Sequence, residues 1–79
     1  MPNGLLNWCY KDVVEFLKTR GFVFKENRKG SHETWINFQT QAIVDVMFHG
    51  QNSIAPKTLE SMIRQSGLDK KVWREWVGK

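Results

Sequence analysis

Cysteine is almost missing from this sequence: Cys9 stands alone among 79 residues, so no internal disulfide can staple the fold, and no cluster of cysteine and histidine has zinc spacing. Nowhere do apolar residues run long enough to span a bilayer. The start Met1-Pro2-Asn3-Gly4 has no charged region leading into an apolar stretch, and these absences together predict a cytoplasmic, reducing environment without a membrane partner. Carboxylates are not grouped and the two histidines are far apart, so neither a Mg²⁺ nor a Zn²⁺ site is expected, and no cofactor. Linkers and repeats are absent too, which makes residues 1–79 a single small domain.

A domain of this size draws only about 3–5 kcal/mol of net stability from one core. Its ten aromatic residues, four of them tryptophan, supply the buried area that so short a chain needs. Twelve Lys and Arg against eight Asp and Glu give a net charge of +4, shared equally between the two halves. Such a field favours a polyanionic partner, nucleic acid above all, although charge by itself supports only nonspecific attraction.

Periodicity predicts the elements. Tyr10, Val13, Val14 and Leu17 recur at helical spacing, with Lys11, Glu15 and Lys18 on the other side, and Gly21 followed by Phe22 ends that helix. Phe22 to Arg28 reads as a strand, His32 to Phe38 as a second with Thr34, Ile36 and Phe38 on one face, and Ile43 to His49 as a third with Val44, Val46 and Phe48 on one face. Gln39-Thr40-Gln41 is a polar turn. Pro56 suits the first position of a second helix carrying Leu59, Met62 and Ile63 and ending at Gly67. A short last helix starts at Asp69 as N-cap, and its Trp73 and Trp76 belong to the core. The expected fold class is α+β: helix, three-stranded antiparallel sheet, helix, short C-terminal helix, in a two-layer sandwich with the helices on one side.

Between the first two strands, Gly30-Ser31-His32 forms a tight turn presenting a histidine. An unperturbed imidazole takes and returns protons near neutral pH, so His32 is the candidate for acid–base chemistry. Strand parity puts it with Ile36 and Phe38, turned towards the core, and a buried structural histidine is the alternative reading. Trp35, of opposite parity, is expected on the open sheet face, where it stacks on an RNA base or anchors a protein, unless it packs against a helix end.

Gly30-Ser31-His32-Glu33-Thr34-Trp35, preceded by Arg20-Gly21-Phe22 and followed by Leu59-Glu60-Ser61-Met62-Ile63-Arg64-Gln65-Ser66-Gly67-Leu68, resembles the HicA family of bacterial toxins. The resemblance spans about Tyr10 to Trp76. It implies a small mRNA endoribonuclease (an mRNA interferase) with a fold like that of double-stranded-RNA-binding domains, with His32 as the catalytic residue and a cognate HicB antitoxin holding it silent. Where family members often carry a basic or His-Pro stretch, this chain has Ile36-Asn37-Phe38 after Trp35.

RNA brings its own nucleophile, the 2′-hydroxyl, so a ribonuclease must remove that proton, stabilise charge on phosphorus and protonate the leaving oxygen. His32 is assigned as general base or acid. Arg28 and Lys29 are candidate phosphate ligands and Lys25 a general electrostatic contact, against the plain alternative of a solvated basic turn. Ser31 either orients the imidazole, binds phosphate or bonds its own backbone. His49 is a possible complementary acid or an ordinary strand-end residue. Two other functions compete: a non-catalytic double-stranded-RNA-binding module, disfavoured because Pro56-Lys57-Thr58-Leu59-Glu60 offers one lysine and an acid where a lysine cluster is needed, and a protein-interaction domain.

Overall fold

The structure is a computed structural model and describes residues 4–30, 32–47 and 52–76. Its elements run in the order α1 (Tyr10–Thr19), β1 (Val23–Asn27), β2 (His32–Ile36), β3 (Ile43–Met47), α2 (Pro56–Ser66) and α3 (Lys70–Glu75). The strands form one antiparallel sheet in the order β1-β2-β3. Fold class and element order are as the sequence predicts. The first two strands are shorter than periodicity suggests, and Phe48 and His49, assigned to the third, lie outside the described residues.

Caps set the helix limits. At the start of α1 the Cys9 N–H donates to Asp12 Oδ2 (3.0 Å), occupying one of the donors a helix N-terminus leaves unpaired. At its end Gly21 takes φ +88°, which lets its own N–H reach Lys18 O (3.2 Å) and the Phe22 N–H reach Leu17 O (3.0 Å), the paired bonds of a Schellman cap. A Cβ on Gly21 would come within 3.2 Å of Asn37 Nδ2. That amide has work of its own: it donates to Arg20 O (3.0 Å), while Asn37 Oδ1 accepts from the N–H groups of Gln39 (2.9 Å) and Thr40 (3.1 Å). One buried side chain thereby ties the end of α1 to the β2–β3 turn. Pro56 opens α2, Gly67 closes it at φ +73°, and Asp69 Oδ1 caps α3 by accepting from the Lys71 N–H (2.9 Å).

The helices cover one face of the sheet. Val13, Phe16 and Leu17 of α1 and Leu59, Met62 and Ile63 of α2 share a buried cluster with Trp35, Val44 and Val46. Trp8, Phe16 and Trp73 sit together at its end, all three wholly buried, with ring centroids 5.7 Å (Trp8–Phe16), 5.3 Å (Trp8–Trp73) and 4.4 Å (Phe16–Trp73) apart. The indole nitrogens are paired, Trp8 Nε1 donating to Gly4 O (2.9 Å) and Trp73 Nε1 to Ser66 Oγ (3.1 Å). Trp76 packs 5.2 Å from Trp8, so both late tryptophans belong to the core as their helical spacing predicts.

The inward face of β2 is the reverse of the one expected. Residues directly opposite one another in an antiparallel pair share a face. Trp35 lies opposite Val44 and Glu33 opposite Val46, both valines being fully buried, so Glu33 and Trp35 point to the helices. His32, Thr34 and Ile36, opposite Met47, Asp45 and Ile43, occupy the open face. The expectation that Thr34, Ile36 and Phe38 form the core side is therefore corrected. Phe38 lies past the end of the strand, 72 % exposed, so the apolar alternation runs beyond the strand that was supposed to own it. A shift of one residue reverses every side chain.

Candidate functional site

His32 begins β2 immediately after the glycine turn. Gly30 takes φ +66°, the Arg28 N–H donates to His32 O (2.7 Å), and the His32 N–H donates to Lys29 O (3.3 Å), closing a tight hairpin around the motif. Because His32 is on the open face and half-buried, it is not the core histidine that parity predicted. The next register pair inward sets Thr34 between Glu26 on β1 and Asp45 on β3. Arg28, at the hairpin end, reaches across β2 and donates from Nη2 to Asp45 Oδ1 at 3.0 Å. Thr34, on the strand between the two that the bridge joins, is only 5 % exposed, and its hydroxyl has no hydrogen-bond partner among the described residues.

The other predicted site residues divide. Lys29 lies exposed in the turn beside His32. Lys25 is the extra residue of a bulge, since Phe24 pairs with Trp35 and Glu26 with Thr34, and it is exposed on the edge strand. Ser31 and His49 lie outside the described residues. Trp35 is not on the open face. It is 5 % exposed, held edge-on by Phe24 at 5.9 Å with the Lys18 ammonium 5.9 Å from its ring centre, so it offers no free face to a base; the packing alternative is the one found.

Behind the histidine, on the helix face, Glu33 gathers two donors. Tyr10 OH donates to both carboxylate oxygens (2.8 and 2.9 Å), and Trp35 Nε1 donates to Oε1 (3.0 Å). An inward-pointing carboxylate is thus satisfied, which anchors the residue next to His32 against α1. Burial, then the hydrogen bond and then the charge of Glu33 push the Tyr10 phenol from the ordinary 10.0 up to about 12. Between those values the folded chain keeps a proton that the unfolded chain has released, so stability falls as pH rises from 10 towards 12. Tyr10 is the single tyrosine of the chain, so tyrosinate absorbance reads it directly. In the native protein that absorbance should appear well above the pH at which it appears in urea, and Glu33→Gln should bring the two closer; coincident titrations in native and urea-unfolded protein would remove this account.

Reasoning from sequence missed Asp45, Thr34 and the Tyr10–Glu33 pair. Asp45 left a trace, a carboxylate between two inward valines, but its partner is fixed by strand register alone. Among the described residues no three His, Cys, Asp or Glu side chains are grouped as metal ligands, and no helix is long and apolar enough to cross a membrane.

The family model described as HicA toxin of bacterial toxin-antitoxin matches residues 10–68, about three quarters of the chain, from the first residue of α1 to just past α2. The chain belongs to the HicA toxin family. The family is one of bacterial toxin–antitoxin systems, in which the toxin is in general matched by an antitoxin. No match was found among curated proteins. The matched span contains the whole sheet and both long helices, whereas Trp8, Trp73 and Trp76, which close the core, stand outside it.

Proposed function

We propose that this HicA chain is an endoribonuclease that cuts mRNA in the bacterial cytoplasm, with His32 as its general acid or base, and that a HicB-type antitoxin silences it. The observation that carries this reading is the place of His32: in a toxin-family chain, it stands on the open sheet face next to a hairpin bearing Arg28 and Lys29. In the proposed reaction the 2′-oxygen of one nucleotide loses its proton and forms a bond to the adjacent phosphorus. The bond from phosphorus to the 5′-oxygen breaks and that oxygen takes up a proton. The products are a 2′,3′-cyclic phosphate and a 5′-hydroxyl. His32 handles one of these protons, and Arg28 and Lys29 meet the charge that builds on the phosphoryl oxygens. The internal nucleophile removes the need for a metal-activated water.

Purified protein should therefore cleave a mixed-sequence RNA in the presence of EDTA and leave cyclic phosphate ends. Induction should arrest growth in cells, and His32→Ala or co-expression of a HicB-type neighbour should restore it. Cleavage that stops in EDTA and returns with Mg²⁺ would remove the metal-free mechanism; arrest by a folded His32→Ala protein would remove the assignment of His32.

A further inference from the structure

Three features of the open face have no role in the reading above: the carboxylate of Asp45, the bridge it makes with Arg28, and the orphaned hydroxyl of Thr34. Both partners of the bridge are about half exposed, with side-chain accessibilities of 51 % and 42 %, and an ion pair so placed is worth roughly 0–1 kcal/mol in solution. It is easily exchanged. Guanidinium binds phosphate oxygens with two parallel hydrogen bonds, a stronger arrangement than its single bond to Asp45 Oδ1. Thr34, by contrast, is unfavourable as it stands, because a buried hydroxyl with no partner among the described residues has lost its hydration and gained nothing from them. It lies between Asp45 and Glu26 in the sheet, one register pair from His32 on the same face.

We propose that Asp45 is a placeholder for an RNA phosphate: the phosphate displaces it from Arg28, uncovers the Thr34 hydroxyl, and is held by both beside His32. This deepens the ribonuclease reading and rests on it only for the identity of the ligand. Asp45 and Thr34 are positioning residues in this scheme, Asp45 keeping Arg28 stretched over β2 until substrate arrives. The two carboxylates beside Thr34 also lower affinity for anions that cannot engage Arg28 and Thr34 together, which favours a phosphodiester seated at His32 over nonspecific attachment.

The test measures binding of a 2′-O-methylated single-stranded oligoribonucleotide, which has no nucleophile and cannot be cut, so the outcome does not depend on whether His32 is catalytic. Asp45→Asn should tighten binding about threefold to fivefold, the scale of a lost surface ion pair. Thr34→Val should weaken it about threefold to tenfold with no loss of thermal stability, and Thr34→Ser should retain it. Arg28→Ala should weaken binding, flatten its salt dependence by about one phosphate contact and abolish the gain from Asp45→Asn. Weaker binding by Asp45→Asn, unchanged binding by Thr34→Val, or no binding by the unmodified protein each overturns the proposal.

Discussion

Trp8→Ala should leave the chain largely unfolded at room temperature. Removing a buried aromatic side chain costs about 3–5 kcal/mol, because the transfer free energy is lost and the neighbours collapse only partly into the space. A core of this size supplies about the same amount in net stability. Trp8 is fully buried against Phe16, Trp73 and Trp76, and its carbonyl accepts the Ile54 N–H at 2.6 Å, so it joins the start of α1, α3 and the segment entering α2. Trp8→Phe, keeping a ring in place, should fold with a lowered midpoint. Urea unfolding followed by far-ultraviolet circular dichroism decides the matter: a Trp8→Ala protein that unfolds cooperatively at the wild-type midpoint would show that the aromatic cluster is not what closes the core.

His32→Ala should slow RNA cleavage by about 10²–10⁴-fold, the range over which a positioned acid or base contributes. Folding should be unaffected, since His32 is half-buried on the open face and its ring makes no hydrogen bond with any described residue. Rate and stability are therefore expected to separate cleanly. Affinity for uncleavable RNA should change far less than rate, because phosphate binding is assigned to neighbouring cations. Imidazole in solution should restore part of the lost activity. A melting temperature that falls together with the rate would instead mark His32 as structural, and an unchanged rate in the folded variant would end its catalytic role.

Helices were legible in the sequence because their signals are local. The apolar spacing of Tyr10, Val13, Val14 and Leu17, the stop at Gly21, Pro56 at a first turn and Asp69 as a cap are all written within a few residues of the structure they specify. Strand facing was not legible, because it is set across the sheet. Thr34, Ile36 and Phe38 alternate convincingly, yet the pairing of Trp35 with Val44 turns that set outward, and Glu33 is tolerated inside because Tyr10 arrives from α1 to join Trp35, its neighbour on the same strand face, in bonding it. The same limit applies to the site. His32 stands out by residue type and turn, whereas Asp45 and Thr34 acquire meaning only once β3 lies beside β2. Trp8 lay hidden for a simpler reason: a single aromatic ahead of a helix has no period to betray it.

The distribution of the four tryptophans governs what their emission can report. Trp8, Trp73 and Trp76 are grouped around Phe16 in the helical layer, and Trp35 faces the helices from the far side of β2. None projects from the side of the sheet that carries His32. Intrinsic fluorescence is thus a faithful gauge of denaturation and nearly blind to a nucleic acid arriving on the opposite surface, so a titration with RNA needs its dye on the oligonucleotide.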